Sequence, residues 1–175
     1  MEGETNKFGP EKTVVPEYSF DAGVTKILDR IMDILGKQPH AIVAFNASDK
    51  DVGKTKLAMT LVKELFQRGI FGKIFHDPRE MKREDVQEQI VFIFDQMEWD
   101  TSKCSSHKMM KESHDADVAR SFEKIGYKIK GIDLWIGIYR PDKPFFSNSH
   151  SGEKYAPIAD IVIKNEGAKD KMINQ

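Results

Sequence analysis

A single cysteine, Cys104, leaves the chain unable to form an internal disulfide, which fits a reducing compartment. No apolar run approaches the roughly 20 residues that span a bilayer, so no membrane partner is expected. The opening MEGETNKFGPEK is polar and acidic, unlike a secretory leader. Neither sign of charge dominates: 27 basic residues stand against 28 acidic ones. That balance argues against a nucleic-acid partner. Internal repeats and low-complexity tracts are also missing. These absences predict a cytoplasmic protein, and 175 residues suffice for one domain with its own core.

What is present is organised around residues 41–59, AIVAFNASDKDVGKTKLAM. Ala41–Phe45 is an apolar run of the length of a buried strand. A polar loop follows, Asn46 to Val52, and Gly53-Lys54-Thr55 leads into a helical pattern. Strand, loop, Gly-Lys-Thr and helix in that order describe a phosphate-binding loop. Loop N–H groups and an electropositive helix N-terminus together hold a polyphosphate. The cradle would comprise Ser48, Asp49, Lys50, Asp51, Val52, Gly53, Lys54 and Thr55. Lys54 would reach the β- and γ-phosphates, and the Thr55 hydroxyl would ligate magnesium. The loop departs from the usual pattern in two ways. Ser48 stands where its first glycine belongs, and Asp49 and Asp51 bring negative charge.

Around this stretch the chain alternates between two patterns. Residues 1–18 lack periodicity and are expected to be flexible; residues 19–175 form the domain. Asp21 is a candidate cap for a helix whose apolar stripe is Val24, Ile27, Leu28, Ile31 and Leu35, stopped at Gly36. Leu57, Leu61 and Leu65 form the stripe of the helix after the loop, with Val62 and Phe66 beside them. Ile70–His76 reads as a second strand, closed by Asp77-Pro78. Residues 80–89 are charged and helical in character. Ile90–Phe94 is apolar without alternation, the mark of a strand covered on both faces. Residues 101–130 are mostly polar, with a short stripe of Val118, Phe122 and Ile125, and form a candidate lid. Ile132–Tyr139 and Ile158–Ile163 read as the last strands. The prediction is an α/β fold: three layers, a mostly parallel sheet of about five strands, and helices on both faces.

Ligands of such sheets sit beyond the carboxyl ends of the strands. The loop, Asp77, Asp95, Arg140 and Asn165 all fall there. Asp95 would complete the magnesium shell, Asp77 is a candidate general base, and Arg140 is a candidate clamp on transferring phosphoryl. Gln96 follows Asp95 where many ATPases carry Glu; Gln orients water but takes no proton, which argues against fast hydrolysis. Glu98 and Asp100 are alternative carboxylates. Arg120 and Lys124, a helical turn apart, read as a solvated face. Cys104, His107 and His114 are too loosely spaced to indicate zinc.

These elements resemble the P-loop NTPase superfamily over residues 38–167. The pre-strand helix, PHAIVAFNASDKDVGKTKLAMTLVKEL and YAPIADIVIKNEG are similar to uridine kinase-like small-molecule kinases. That resemblance implies ATP and Mg2+ as cofactors and phosphoryl transfer to a nucleoside, nucleotide or similar metabolite. It implies Asp77 as a catalytic acid and Asn165, Glu166 and Gly167 beside the base of the nucleotide. FIFDQMEWD with FEKIGYKIKGIDLWIGIYRPDKPF resembles the motor-type ATPases instead, which would imply an oligomer acting on a macromolecule. The Asp-Val-Gly-Lys-Thr segment also resembles the loop of dethiobiotin synthetase. A catalytically weak nucleotide-binding module is the remaining alternative.

Overall fold

The computed structural model describes residues 15–46, 52–88, 90–95, 107–141 and 159–166. Ser48–Asp51, Gln96, Glu98, Asp100, Cys104 and Gly167 lie outside the described residues, as do residues 1–14.

Continuous apolar runs build the centre of the molecule. Strands β2 (Ala41–Asn46), β4 (Val91–Phe94) and β5 (Leu134–Tyr139) are buried at every position. They read as unbroken rather than alternating because both of their faces are covered. With β1 (Glu17–Ser19), β3 (Gly72–Phe75) and β6 (Ile161–Lys164) they form a six-stranded sheet. Its order is β1-β6-β5-β2-β4-β3, and every pairing is parallel. The expectation of about five strands is one short. The added strand, β1, has a half-exposed sequence of its own and exists through its ladder to β6, where Tyr18 faces Ile163. Its residues 17–18 fall in the stretch expected to be flexible.

One face of the sheet is covered by α1 (Phe20–Leu35) and α2 (Lys54–Gln67). Ile27 and Ile31 of α1 and Leu57, Leu61 and Leu65 of α2 pack there against Val43, Phe45, Ile93 and Ile136. Phe66, expected beside the α2 stripe, is instead 65% exposed. The N-cap of α1 is Ser19, whose side chain accepts from the Ala22 N–H at 3.4 Å. Asp21, expected as the cap, sits in the first turn, where its charge favours the helix dipole.

The opposite face is covered by α3 (Arg83–Glu88) and α4 (His107–Lys124). Met110, Val118 and Phe122 of α4 pack on Phe92, Ala44 and Trp135. Phe122 meets Phe92 edge-on at 5.2 Å. The candidate lid is therefore, over residues 107–124, an 18-residue helix with Met110, Val118 and Phe122 buried in the core. Among the described residues no helix is long and apolar enough to cross a membrane.

The chain leaves β2 toward β3 and β4 on one side and returns through β5 to β6 on the other. Ligands favour the point where strand order reverses, beyond the carboxyl ends. β2 ends there at Asn46.

Candidate functional site

Gly53 carries the turn from loop to helix. Its φ of 103° and ψ of 18° are left-handed, a conformation costly for any residue with a Cβ. It is the N-cap of α2, and its carbonyl accepts from the Leu57 N–H at 2.9 Å. A Cβ at this position would stand 2.3 Å from Asn165 Nδ2. That amide donates to the Val52 carbonyl at 2.8 Å, while the Asn165 N–H extends the β5–β6 ladder to the Tyr139 carbonyl. The end of β6 thus braces the end of the loop. Lys54 and Thr55 occupy the first turn of α2, half-buried and exposed respectively. Their side chains make no hydrogen bond or ion pair among the described residues.

Asp95 follows β4, the strand beside β2, in the register Ala44–Phe94. It is 2% exposed, and its N–H donates to the Phe75 carbonyl at 3.2 Å. Oδ1 lies 2.8 Å from His76 Nδ1, while Oδ2 carries no hydrogen bond among the described residues. The His76 side chain is 60% exposed. Its hydrogen bond and charge attraction to Asp95 raise its pKa above the usual imidazole value. His76 is the residue that sequence reasoning missed at this site. Its signal was its position: it follows β3 as Asp95 follows β4, and Phe75 pairs with Phe94.

Asp77 is built differently from the expected base. It caps a short 3-10 turn, Pro78–Glu80, accepting from the Arg79 N–H at 2.8 Å. The Glu80 carboxylate returns to the His76 and Asp77 N–H groups. The Arg79 guanidinium clamps both Asp77 oxygens, as close as 2.6 Å. These bonds hold its carboxyl below the ordinary aspartate range, so it is a poor proton acceptor. β3 is also two strands from β2, roughly 10 Å at the usual sheet spacing. Arg140 directly follows β5, which is adjacent to β2 on the other side, and is half-buried.

The structure therefore gathers Gly53, Lys54, Thr55, Asp95 and Asn165 around the end of β2, with Arg140 beyond the neighbouring strand. It leaves Asp77 at the sheet edge. Asn165, which the family resemblance put beside the nucleotide base, spends its amide on Val52.

Two observations bear on polyphosphate and magnesium. The N-cap of α2 is a glycine with no side-chain capping bond, followed at once by a lysine. Asp95 keeps one carboxylate oxygen without a hydrogen bond among the described residues. Among the described residues no group of three or more His, Cys, Asp or Glu could cage a metal alone. Magnesium is ordinarily held by one or two protein ligands with phosphates and water, so Thr55 and Asp95 fit that ion better than a caged one.

Compared with known protein families, curated proteins and solved structures, the chain matches none.

Proposed function

We propose that this protein binds ATP with magnesium and transfers the γ-phosphoryl group to a small hydroxyl-bearing metabolite such as a nucleoside or nucleotide. The observation that carries the reading is the left-handed Gly53 cap with Lys54 and Thr55 in the turn behind it, one strand away from the buried Asp95. Residues 48–55 would hold the triphosphate through backbone N–H groups, and Lys54 would bridge its outer phosphates. Thr55 and Asp95 would hold magnesium, which neutralises charge on the β- and γ-oxygens. Arg140 would stabilise charge that develops during transfer.

Phosphoryl transfer passes through a loose transition state that depends on positioning and electrostatics more than on proton removal. The capped Asp77 is accordingly not assigned a base role. Residues 107–124 are not assigned the closing role expected of a lid, since Met110, Val118 and Phe122 are core residues.

A thermal-shift series with ATP, GTP and magnesium tests the reading. ATP with magnesium should raise the melting temperature of the native chain, and Lys54→Ala should abolish the shift. An equal shift in the variant would overturn the assignment. A phosphate-acceptor panel then separates transfer from hydrolysis; turnover without any acceptor would point to a motor-type or regulatory ATPase.

A further inference from the structure

A cavity lies at the end of the sheet opposite Gly53 and Asp95. It encloses about 440 Å³, within the range of small-molecule sites. Its walls include Ile42, Val86, Phe122, Tyr127 and Ile129. Ile42 is the second residue of β2, so the cavity and the phosphate loop sit at the two ends of one strand. They are separated by at least roughly 13 Å of extended chain.

The polar lining has an uneven chemistry. Asp133 is half-buried just before β5. Its Oδ2 accepts from the Ile42 N–H at 2.9 Å and from Gln38 Nε2 at 2.9 Å. Its Oδ1 has no hydrogen bond among the described residues, although the residue lines the cavity. Burial pushes its carboxyl above the ordinary aspartate range, the cost of withdrawing charge from water. Across the cavity the extended segment 127–130 alternates. Tyr127 and Ile129 turn into the core, while Lys128 and Lys130 are exposed at the mouth. His40 completes the wall with its ring edge-on to Phe92 at 5.6 Å and Nε2 3.3 Å from the Val86 carbonyl.

We propose that this cavity binds a planar N–H-bearing heterocycle with an anionic tail, the chemistry of a nucleoside monophosphate. The apolar walls take the ring. The unpartnered Asp133 oxygen accepts from a ring N–H, and such a bond to a partly desolvated carboxylate is among the stronger kinds. Lys128 and Lys130 take the anion at the mouth. This site does not depend on the phosphate loop being functional.

The test is calorimetric titration of the full chain with the four common nucleoside 5′-monophosphates. Free bases and inorganic phosphate serve as half-ligands, and amide NMR locates binding. At least one monophosphate should bind, shift the amides of residues 128–131, and outbind its base and phosphate at least tenfold. Lys128→Glu with Lys130→Glu, both exposed, should weaken it at least tenfold, and Asp133→Asn should weaken it while Ile129→Trp fills the cavity. Lys54→Ala should leave it unchanged, which separates this site from the phosphate loop. No binding by any monophosphate would overturn the proposal. So would binding insensitive to the lysine pair, or binding lost with Lys54.

Discussion

Gly53→Ala should destabilise the protein through two separable effects, and a second substitution can isolate them. A left-handed φ of 103° costs an alanine roughly 1–2 kcal/mol. The new methyl would also stand 2.3 Å from Asn165 Nδ2, so the amide must swing away and release the Val52 carbonyl. A lost hydrogen bond of this kind costs about 0.5–1.5 kcal/mol. The sum is about 2–3 kcal/mol for Gly53→Ala and about 1 kcal/mol for Asn165→Ala alone. Because both substitutions sacrifice the same bond, the double variant should cost no more than Gly53→Ala. The two changes should therefore fall short of additivity by about 1 kcal/mol, a coupling typical of residues in contact. Urea unfolding of the native chain, both single variants and the double variant measures this. Additivity within about 0.3 kcal/mol would refute the claim that the end of β6 braces the residues that lead into α2.

Three further outcomes follow from the packing and the charges. Phe122→Ala empties a fully buried site against Phe92 and should lower the unfolding free energy by about 3–5 kcal/mol, read by the same denaturation assay. Asp77→Ala removes a turn cap and should cost about 1 kcal/mol while leaving nucleotide-dependent turnover in place; loss of turnover with an intact fold would restore Asp77 as a base. His76 should titrate above the ordinary imidazole value by NMR and return toward it in Asp95→Asn, because Asp95 raises its pKa. The sign follows: this pair contributes to stability below the ordinary imidazole pKa of about 6.5 and the contribution is lost as pH rises through the raised value.

Much of this architecture was legible because burial on both faces leaves a plain signature. Ala41–Asn46, Val91–Phe94 and Leu134–Tyr139 are apolar without alternation, and periodicity marked α1 and α2. Strand β1 was not legible because its three residues owe their state to β6. The first half of α4 was hidden because Met110 is the buried contact there, in an otherwise polar sequence. At the site, Gly53, Lys54, Thr55 and Asp95 were visible from motif and strand ends. His76 beside Asp95 was not, since the contact spans 19 positions and requires knowing that β3 pairs with β4. Asn165 on Val52 spans 113 positions and depends on β6 ending beside the start of α2. The turn-capping role of Asp77 was not legible, because a strand-terminal carboxylate looks the same in sequence whether it faces a substrate or caps a turn.

The pairing of β1 with β6 constrains how the molecule is made. Among the described residues β6 is the last strand in sequence, yet it lies between β5 and β1, and Ile163 packs close to Gly23 of α1. A ribosome delivers β1 and α1 before β2 to β5, and they wait through the synthesis of those strands for the one that joins them to the sheet. Tyr139, whose hydroxyl donates to Glu17 at 3.0 Å, can draw β1 toward the sheet only after β5 is made. Long-range parallel closure of this kind is intrinsically slow, and until it occurs β5 presents an open edge to other chains. Crowded or rapid expression should therefore expose this protein to misassembly at the β5 edge before anywhere else.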